Sequence, residues 1–305
     1  MPNLPTTTFG RTGLKVTRLG FGAMEIRGPR VWGGRPVTDQ QAETILNAVL
    51  DAGINFIDTA NDYGRSEEFI GRHLSRRRAE FFIATKCGCL VKHKDEHTDE
   101  TSHIWTKENL FRGLHESLAR LQTDVIDVMQ LHNPSVEECE KGQLVEALQE
   151  MRQQGKVRYI GISTTRPHLP TYLEWGVFDT FQIPYSGLQR DHEHSITDAA
   201  VAGIGTIIRG GVQRGEPGAG LGGAEPWKKF ADAKLDELRQ PGESRTAFLL
   251  RFTLAHPHIH TAIVGTLRAE HVQENVQAAQ RGPLPAEVYA EAQRRLAAAG
   301  VSPAA

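Results

Sequence analysis

Residues 125–163 read VIDVMQLHNPSVEECEKGQLVEALQEMRQQGKVRYIGIS. The run at 125–130 is rich in β-branched and apolar residues and too short for a helix, which predicts a strand. Leu144, Ala147, Leu148 and Met151 then fall at helical spacing, and Gly155 supplies a stop. A second strand-like run follows at 158–162. Strand, helix and strand within so few residues predict a βαβ unit, whose strands lie parallel.

The same alternation extends in both directions. Strand-like runs occur at 16–19, 55–57, 81–84, 125–130, 158–162, 180–183, 206–208 and 261–264, eight in all. Between them, Thr38 offers an N-cap to a helix carrying Ile45, Val49 and Leu50 and stopped by Gly53. Residues 106–121 place Leu110, Gly113, Leu114, Ser117, Leu118 and Leu121 on one helical face. Eight βα units without a polar, proline-rich linker predict a single α/β domain over residues 1–305, a (β/α)8 TIM barrel rather than a doubly wound sheet. Residues 9–14 are expected to form a hairpin ahead of the first barrel strand, and 227–238 and 286–299 to form extra helices.

Composition narrows the function. The chain has 305 residues, 35 Lys plus Arg and 37 Asp plus Glu, for a formal charge of −2. That balance argues against a polybasic nucleic-acid or membrane-surface partner. Three cysteines are too few for a disulfide framework. Met1-Pro-Asn-Leu-Pro-Thr-Thr-Thr contains no apolar stretch of a secretory leader, so a cytoplasmic setting is expected.

Chemistry in such barrels gathers where strands end. The second run ends in Asp58 with Tyr63 five residues on, the third in Lys86 and the fourth in His132. An isolated loop charge means little; this succession points to a site. The bland reading is a buried Asp–Lys pair beside a satisfied core histidine.

At these residues the chain resembles the aldo-keto reductases. GINFIDTANDYG at 53–64, IATK at 83–86, DVMQLHNP at 127–134, GKVRYIGIS at 155–163 and AIVGTLRAEHVQEN at 262–275 are similar to five family segments in family order. The resemblance implies a barrel that binds NADP(H), with NAD(H) as the alternative, and reduces aldehydes or ketones to alcohols. It implies a catalytic set of Asp58, Tyr63, Lys86 and His132. Tyr63 would act as general acid, although a phenol with a pKa near 10 is a poor acid at neutrality. An ammonium 4 Å away at an effective dielectric of 20 attracts phenolate by about 4 kcal/mol. Lys86, oriented by Asp58, is therefore expected to bring Tyr63 toward neutrality. His132 would hydrogen-bond the substrate oxygen.

By the same resemblance the cofactor would lie against Gly22, Ala23, Met24 and Asp58. Ser163, Thr164 and Gln182 would meet the carboxamide; the family usually has Asn where Thr164 stands. Arg209, Gly210, Gly211 and Val212 follow the seventh strand. Arg209 takes the place of a tyrosine that commonly stacks on the nicotinamide. Gly265, Thr266 and Arg268 would face the adenosine phosphate, and Glu274 and Asn275 the adenine. A further basic residue frequent just before Arg268 is missing, since Gly265, Thr266 and Leu267 are uncharged.

The substrate is expected to be a small or medium carbonyl compound. Its pocket would be shaped by Tyr63, His132 and two long loops, 23–37 with Trp32 and 88–105 with Trp105. The second loop is highly polar, which disfavours a wholly apolar pocket, and no long tail after Leu284 is expected to cover it. No metal is expected, because Cys87-Gly-Cys89 lacks a second ligand pair at zinc-site spacing and His192 and His194 stand two apart. Gly218-Ala-Gly-Leu-Gly-Gly223 matches a dinucleotide fingerprint but does not follow a strand, so 210–223 reads instead as a loop over the cofactor pyrophosphate. Arg209-Gly-Gly is an RNA-binding tripeptide only by coincidence in a net acidic chain. Two other functions keep the fold: a nucleotide-binding regulatory subunit without turnover, and a Schiff-base enzyme using Lys86 as nucleophile. Oligomeric state is not legible here.

Overall fold

Among the described residues, 4–304 of this computed structural model, eight parallel strands close into a barrel. Met1–Asn3, the start of the stretch read above as lacking a leader, lies outside them. The chain opens with a hairpin of β1 (Thr6–Thr8) and β2 (Lys15–Thr17). Barrel strands follow as β3 (Leu19–Gly22), β4 (Phe56–Asp58) and β5 (Phe82–Cys87). A second hairpin, β6 (Cys89–His93) with β7 (Asp99–His103), stands outside the barrel. The remaining barrel strands are β8 (Ile126–His132), β9 (Val157–Ser163), β10 (Thr180–Pro184), β11 (Gly205–Arg209) and β12 (Thr261–Val264). β12 pairs with β3 and closes the ring.

Helices interleave as the apolar stripes require. They are α1 (Asp39–Asp51), α2 (Ser66–Leu74), α3 (Lys107–Leu121), α4 (Val136–Lys141), α5 (Leu144–Gln153), α6 (Leu169–Trp175), α7 (Glu193–Val201), α8 (Ala224–Asp232), α9 (Arg245–Ala255), α10 (Ala269–Gln280) and α11 (Ala286–Ala298). The two predicted N-caps accept as expected, Thr38 from the Gln41 amide and Thr106 from the Asn109 amide. Among the described residues no helix is long and apolar enough to cross a membrane.

Four expectations are corrected. The run at 16–19 is no single strand: it straddles β2 and the first barrel strand β3. Residues 9–14 are the turn of the hairpin rather than the whole of it. The stretch 227–238 divides into the end of α8 and a short 3-10 turn, Leu235–Leu238. The polar loop 88–105 contains the paired strands β6 and β7.

Barrel side chains alternate inward and outward. Phe56, Ala84, Val128 and Ile207 point in at the strand starts and pack on Phe9, Leu14 and Val16 of the hairpin, which plugs that end. Two residues further along each strand, the same face presents Asp58, Lys86, Gln130 and Arg209. The interior thus turns from apolar to polar and charged along one direction.

Candidate active site

Asp58, at the end of β4, has no contact with bulk water to speak of, being 2% exposed. Its Oδ2 accepts from Lys86 Nζ at 2.7 Å, while Oδ1 accepts from the amides of Gln130 at 3.0 Å and Gln182 at 2.7 Å. Lys86 also donates to the Thr59 carbonyl at 2.7 Å. The buried charge pair is thereby matched and hydrogen-bonded, the condition under which burial of ions is tolerated. Burial works against the Lys86 ammonium, but Asp58 and Tyr63 outweigh it and hold its pKa above the usual lysine value.

The Lys86 ammonium lies 4.9 Å from the centre of the Tyr63 ring. Beyond it, the Tyr63 and His132 rings are 6.1 Å apart in edge geometry. Asp58, Tyr63, Lys86 and His132 thus converge at one end of the barrel. The expected direction for the phenol is overturned. Burial pushes Tyr63 above the ordinary tyrosine value, Asp58 and Asp62 add to the push, and Lys86 only moderates it.

His132 has a neighbour absent from the expected set. Cys89 Sγ lies 3.0 Å from His132 Nδ1. Burial and the nearby Asp62 hold that thiol protonated. When the thiol donates to Nδ1, rather than to Asp62 beside it, the imidazole proton lies on Nε2. Gln130 was equally absent from the expected set. Its place, one inward step before His132 on β8, was the available signal.

Trp32 meets the edge of Tyr63 at 5.9 Å between ring centres and donates through Nε1 to Thr101 Oγ1 at 3.1 Å. The two long loops are further joined by Arg30, which binds Asp99 at 2.8 Å. Trp105 does not reach Tyr63 or His132 directly. It stacks on His103, whose ring meets His132 edge-on at 5.6 Å, and the back of Trp105 packs on the core. Gly88, at φ +103°, permits this because any Cβ there would collide with the indole.

The other expected positions lie at or just beyond the ends of β3, β9, β10, β11 and β12. Ser163 donates to Asn133 Oδ1 at 3.1 Å, and the Thr164 amide donates to the Gln182 carbonyl. The Gln182 side-chain nitrogen is engaged by Asp58, which leaves its oxygen for another partner. Arg209 ends β11 within electrostatic reach of Tyr63 and Asp58, and its buried Nε has no hydrogen bond.

Residues 210–223 form a chain of turns, with the Leu221 amide on the Arg214 carbonyl and the Gly222 amide on that of Gly215. Between them and the end of β12 lies a cavity of about 290 Å³ bordered by Val212, Gly220, Gly265, Thr266, Glu274 and Asn275. An adjoining space of about 240 Å³ is lined by Arg35, Arg214 and Arg268. Arg35 and Arg214 thus come from distant loops to stand beside Arg268, both facing the Glu25 carboxylate of the same space, at 2.9 and 3.8 Å. Backbone runs close there: a Cβ on Gly265 would come to 2.5 Å from the Gly22 carbonyl. An orphaned guanidinium nitrogen, glycine-lined walls and three arginines suit an extended dinucleotide.

Residues 18–296 match the model of the aldo/keto reductase family. The uncharacterized oxidoreductase YqkF of Bacillus subtilis is 27% identical, over 91% of this chain and 92% of its own. L-galactose dehydrogenase of Arabidopsis thaliana is also 27% identical, over 91% and 89%. The holo form of aldo-keto reductase AKR11C1 from Bacillus halodurans superposes with a TM-score of 0.82 at 28% identity, covering 96% of each chain.

Proposed function

The chain belongs to the aldo/keto reductase family of NAD(P)H-using oxidoreductases, and on that premise we propose that it reduces small, polar aldehydes or ketones with NADPH, Tyr63 acting as the acid. The observation that carries the reading is the Asp58–Lys86 pair set 4.9 Å from the Tyr63 ring, with His132 beyond it. The cofactor, when bound, supplies hydride to the carbonyl carbon. Tyr63 gives its phenolic proton to the carbonyl oxygen as negative charge develops there. Lys86 stabilises the resulting phenolate, and Asp58 keeps Lys86 charged and in place. His132 donates from Nε2 to the same oxygen and fixes its position.

Gly22, Ala23, Met24, Ser163, Thr164 and Gln182 would hold the nicotinamide half. Arg209 would stack on the ring through its planar guanidinium. Gly210, Gly211 and Val212 would follow the pyrophosphate. Gly265, Thr266 and Arg268 would meet the adenosine phosphate, joined by Arg35 and Arg214, with Glu274 and Asn275 at the adenine. The cluster of arginines favours NADPH over NADH. Trp32, with the polar hairpin beside it, would wall a pocket for an oxygen-rich substrate, and the L-galactose dehydrogenase relative makes a hydroxylated carbonyl compound the first class to test. The barrel and its added helices act as one domain across residues 1–305, and three free thiols fit a cytoplasmic setting.

The test is NADPH oxidation against a panel of aldehydes and ketones, with cofactor binding followed by fluorescence. Turnover with hydroxylated carbonyls is expected. Stoichiometric binding without turnover across the panel would favour a regulatory subunit, and a borohydride-trapped adduct on Lys86 would favour Schiff-base chemistry.

A further inference from the structure

Cys89 and His103 are directly opposed in the β6–β7 hairpin. Opposed side chains on an antiparallel pair leave the same face about 5 Å apart. That face is turned to His132 and Asp62. One donor atom from each of Asp62, Cys89, His103 and His132 lies within 4.8 Å of every other. Neither the spacing of Cys87 and Cys89 nor any local motif announces this. Cys87 points elsewhere, to the Gln130 carbonyl, and takes no part.

A second observation is independent of the clustering. Asp62 is 1% exposed, and its Oδ1 has no hydrogen bond. Its neighbours are His132 Nδ1, 3.5 Å away, and the Cys89 thiol, neither in hydrogen-bond geometry with that oxygen. An unpartnered buried carboxylate oxygen is costly, so its persistence calls for a positive partner. Lys86 is not that partner, because its ammonium is committed to Asp58 and Thr59.

We propose that Asp62, Cys89, His103 and His132 form a binding site for a borderline divalent cation of the zinc type, with His132 contributing Nδ1. A carboxylate, a thiolate and two imidazoles make a four-coordinate set that zinc accepts. The carboxylate and thiolate carry two negative charges, which balance a divalent ion in a buried setting. Binding releases the Cys89 proton to solvent, and the ion replaces the thiol on Nδ1. Zinc–ligand distances of about 2.0–2.3 Å require donors roughly 3.3–3.8 Å apart, so the wider pairs draw together by up to about 1 Å while Cys89 Sγ and His132 Nδ1, now 3.0 Å apart, open slightly. His103 already faces the cluster, its ring meeting that of His132 edge-on at 5.6 Å between centres. Trp105 stacks on its ring at 5.1 Å between centres and orients it.

A cation on Nδ1 keeps the His132 proton on Nε2, the tautomer that donates to a carbonyl oxygen. The site would therefore position His132 and anchor the hairpin to the barrel without occupying the place of substrate. It stands apart from the proposed reductase activity, because its test needs neither cofactor nor carbonyl compound.

The experiment is titration of chelator-treated, reduced protein with CoCl₂, read by absorption, followed by displacement with ZnCl₂. A single Co²⁺ per chain is expected, with thiolate-to-cobalt charge transfer in the near ultraviolet and the strong visible bands of four-coordinate cobalt. His103→Ala changes an exposed residue of the hairpin and should weaken binding by more than the roughly 10–100-fold that loss of a supporting partner costs. Cys89→Ser should abolish the charge-transfer band, with the fold checked by circular dichroism. Absence of the band in the unmodified protein, or unchanged affinity in His103→Ala, would overturn the proposal. Should Cys89→Ser fail to fold, the His103 variant and the unmodified spectrum still decide it.

Discussion

The ammonium of Lys86 stands 4.9 Å from the ring centre of Tyr63, yet the phenol titrates above its ordinary value. Burial and two carboxylates prevail over one cation. Tyr63 therefore carries its proton throughout the neutral range, as a proton donor in reduction must, and loses it only as pH rises past the usual tyrosine value. Lys86→Met removes the largest influence that favours phenolate. Difference-absorbance titration against a Tyr63→Phe reference should show Tyr63 moving further up in that variant. A downward move would mean that Lys86 does not act on the phenol.

Arg268 carries no side-chain hydrogen bond or ion pair among the described residues, and it borders the space shared with Arg35 and Arg214. A charge-assisted hydrogen bond contributes about 1.5–3 kcal/mol. Arg268→Ala should weaken NADPH binding by about 10–150-fold and leave NADH binding nearly unchanged. Parallel fluorescence titrations make the comparison, and equal losses would remove Arg268 from phosphate recognition.

In the proposed reading, Arg209 brings a cation to the nicotinamide ring. Stacking against the neutral reduced ring is more favourable than against the positively charged oxidised one. Arg209→Tyr should therefore narrow the ratio of NADPH to NADP⁺ affinity. Titration of both forms into both proteins tests it, and an unchanged ratio counts against stacking.

Away from the site, His260 Nδ1 accepts from the Thr206 amide at 3.1 Å, which requires a neutral ring. Burial, with Arg18 and His258, lowers its pKa to about 4. The unfolded chain, with histidine near 6.5, takes up this proton first as pH falls. The stabilisation is thus complete above about 6.5 and is lost progressively toward 4, a change on the order of 2–3 kcal/mol. Urea unfolding across this interval should show the loss, and His260→Asn should flatten it.

The catalytic candidates were legible because barrel geometry ties them to strand ends. Asp58, Lys86 and His132 close short apolar runs, and the inward period of two carries them to one place. Gln130 obeys the same period but hides as an uncharged residue within an apolar run. The approach of Arg35 and Arg214 to Arg268 was not legible because it arises only through the folding of distant loops. The β6–β7 hairpin escaped for another reason: its outer part, from Lys92 to His103, is solvated on both faces, so no apolar alternation records its pairing. With it went the opposition of Cys89 and His103. The direction of the Tyr63 shift failed because burial, invisible in a residue list, outweighed the charge that was visible.

Tyr63→Phe tests the account most directly. The substitution keeps the ring and deletes the proton it would donate. Single-turnover reduction of a responsive carbonyl substrate by saturating NADPH should slow by about 10²–10⁴, with the Kd for NADPH nearly unchanged. A variant that keeps more than half of the unmodified rate would contradict Tyr63 as the acid.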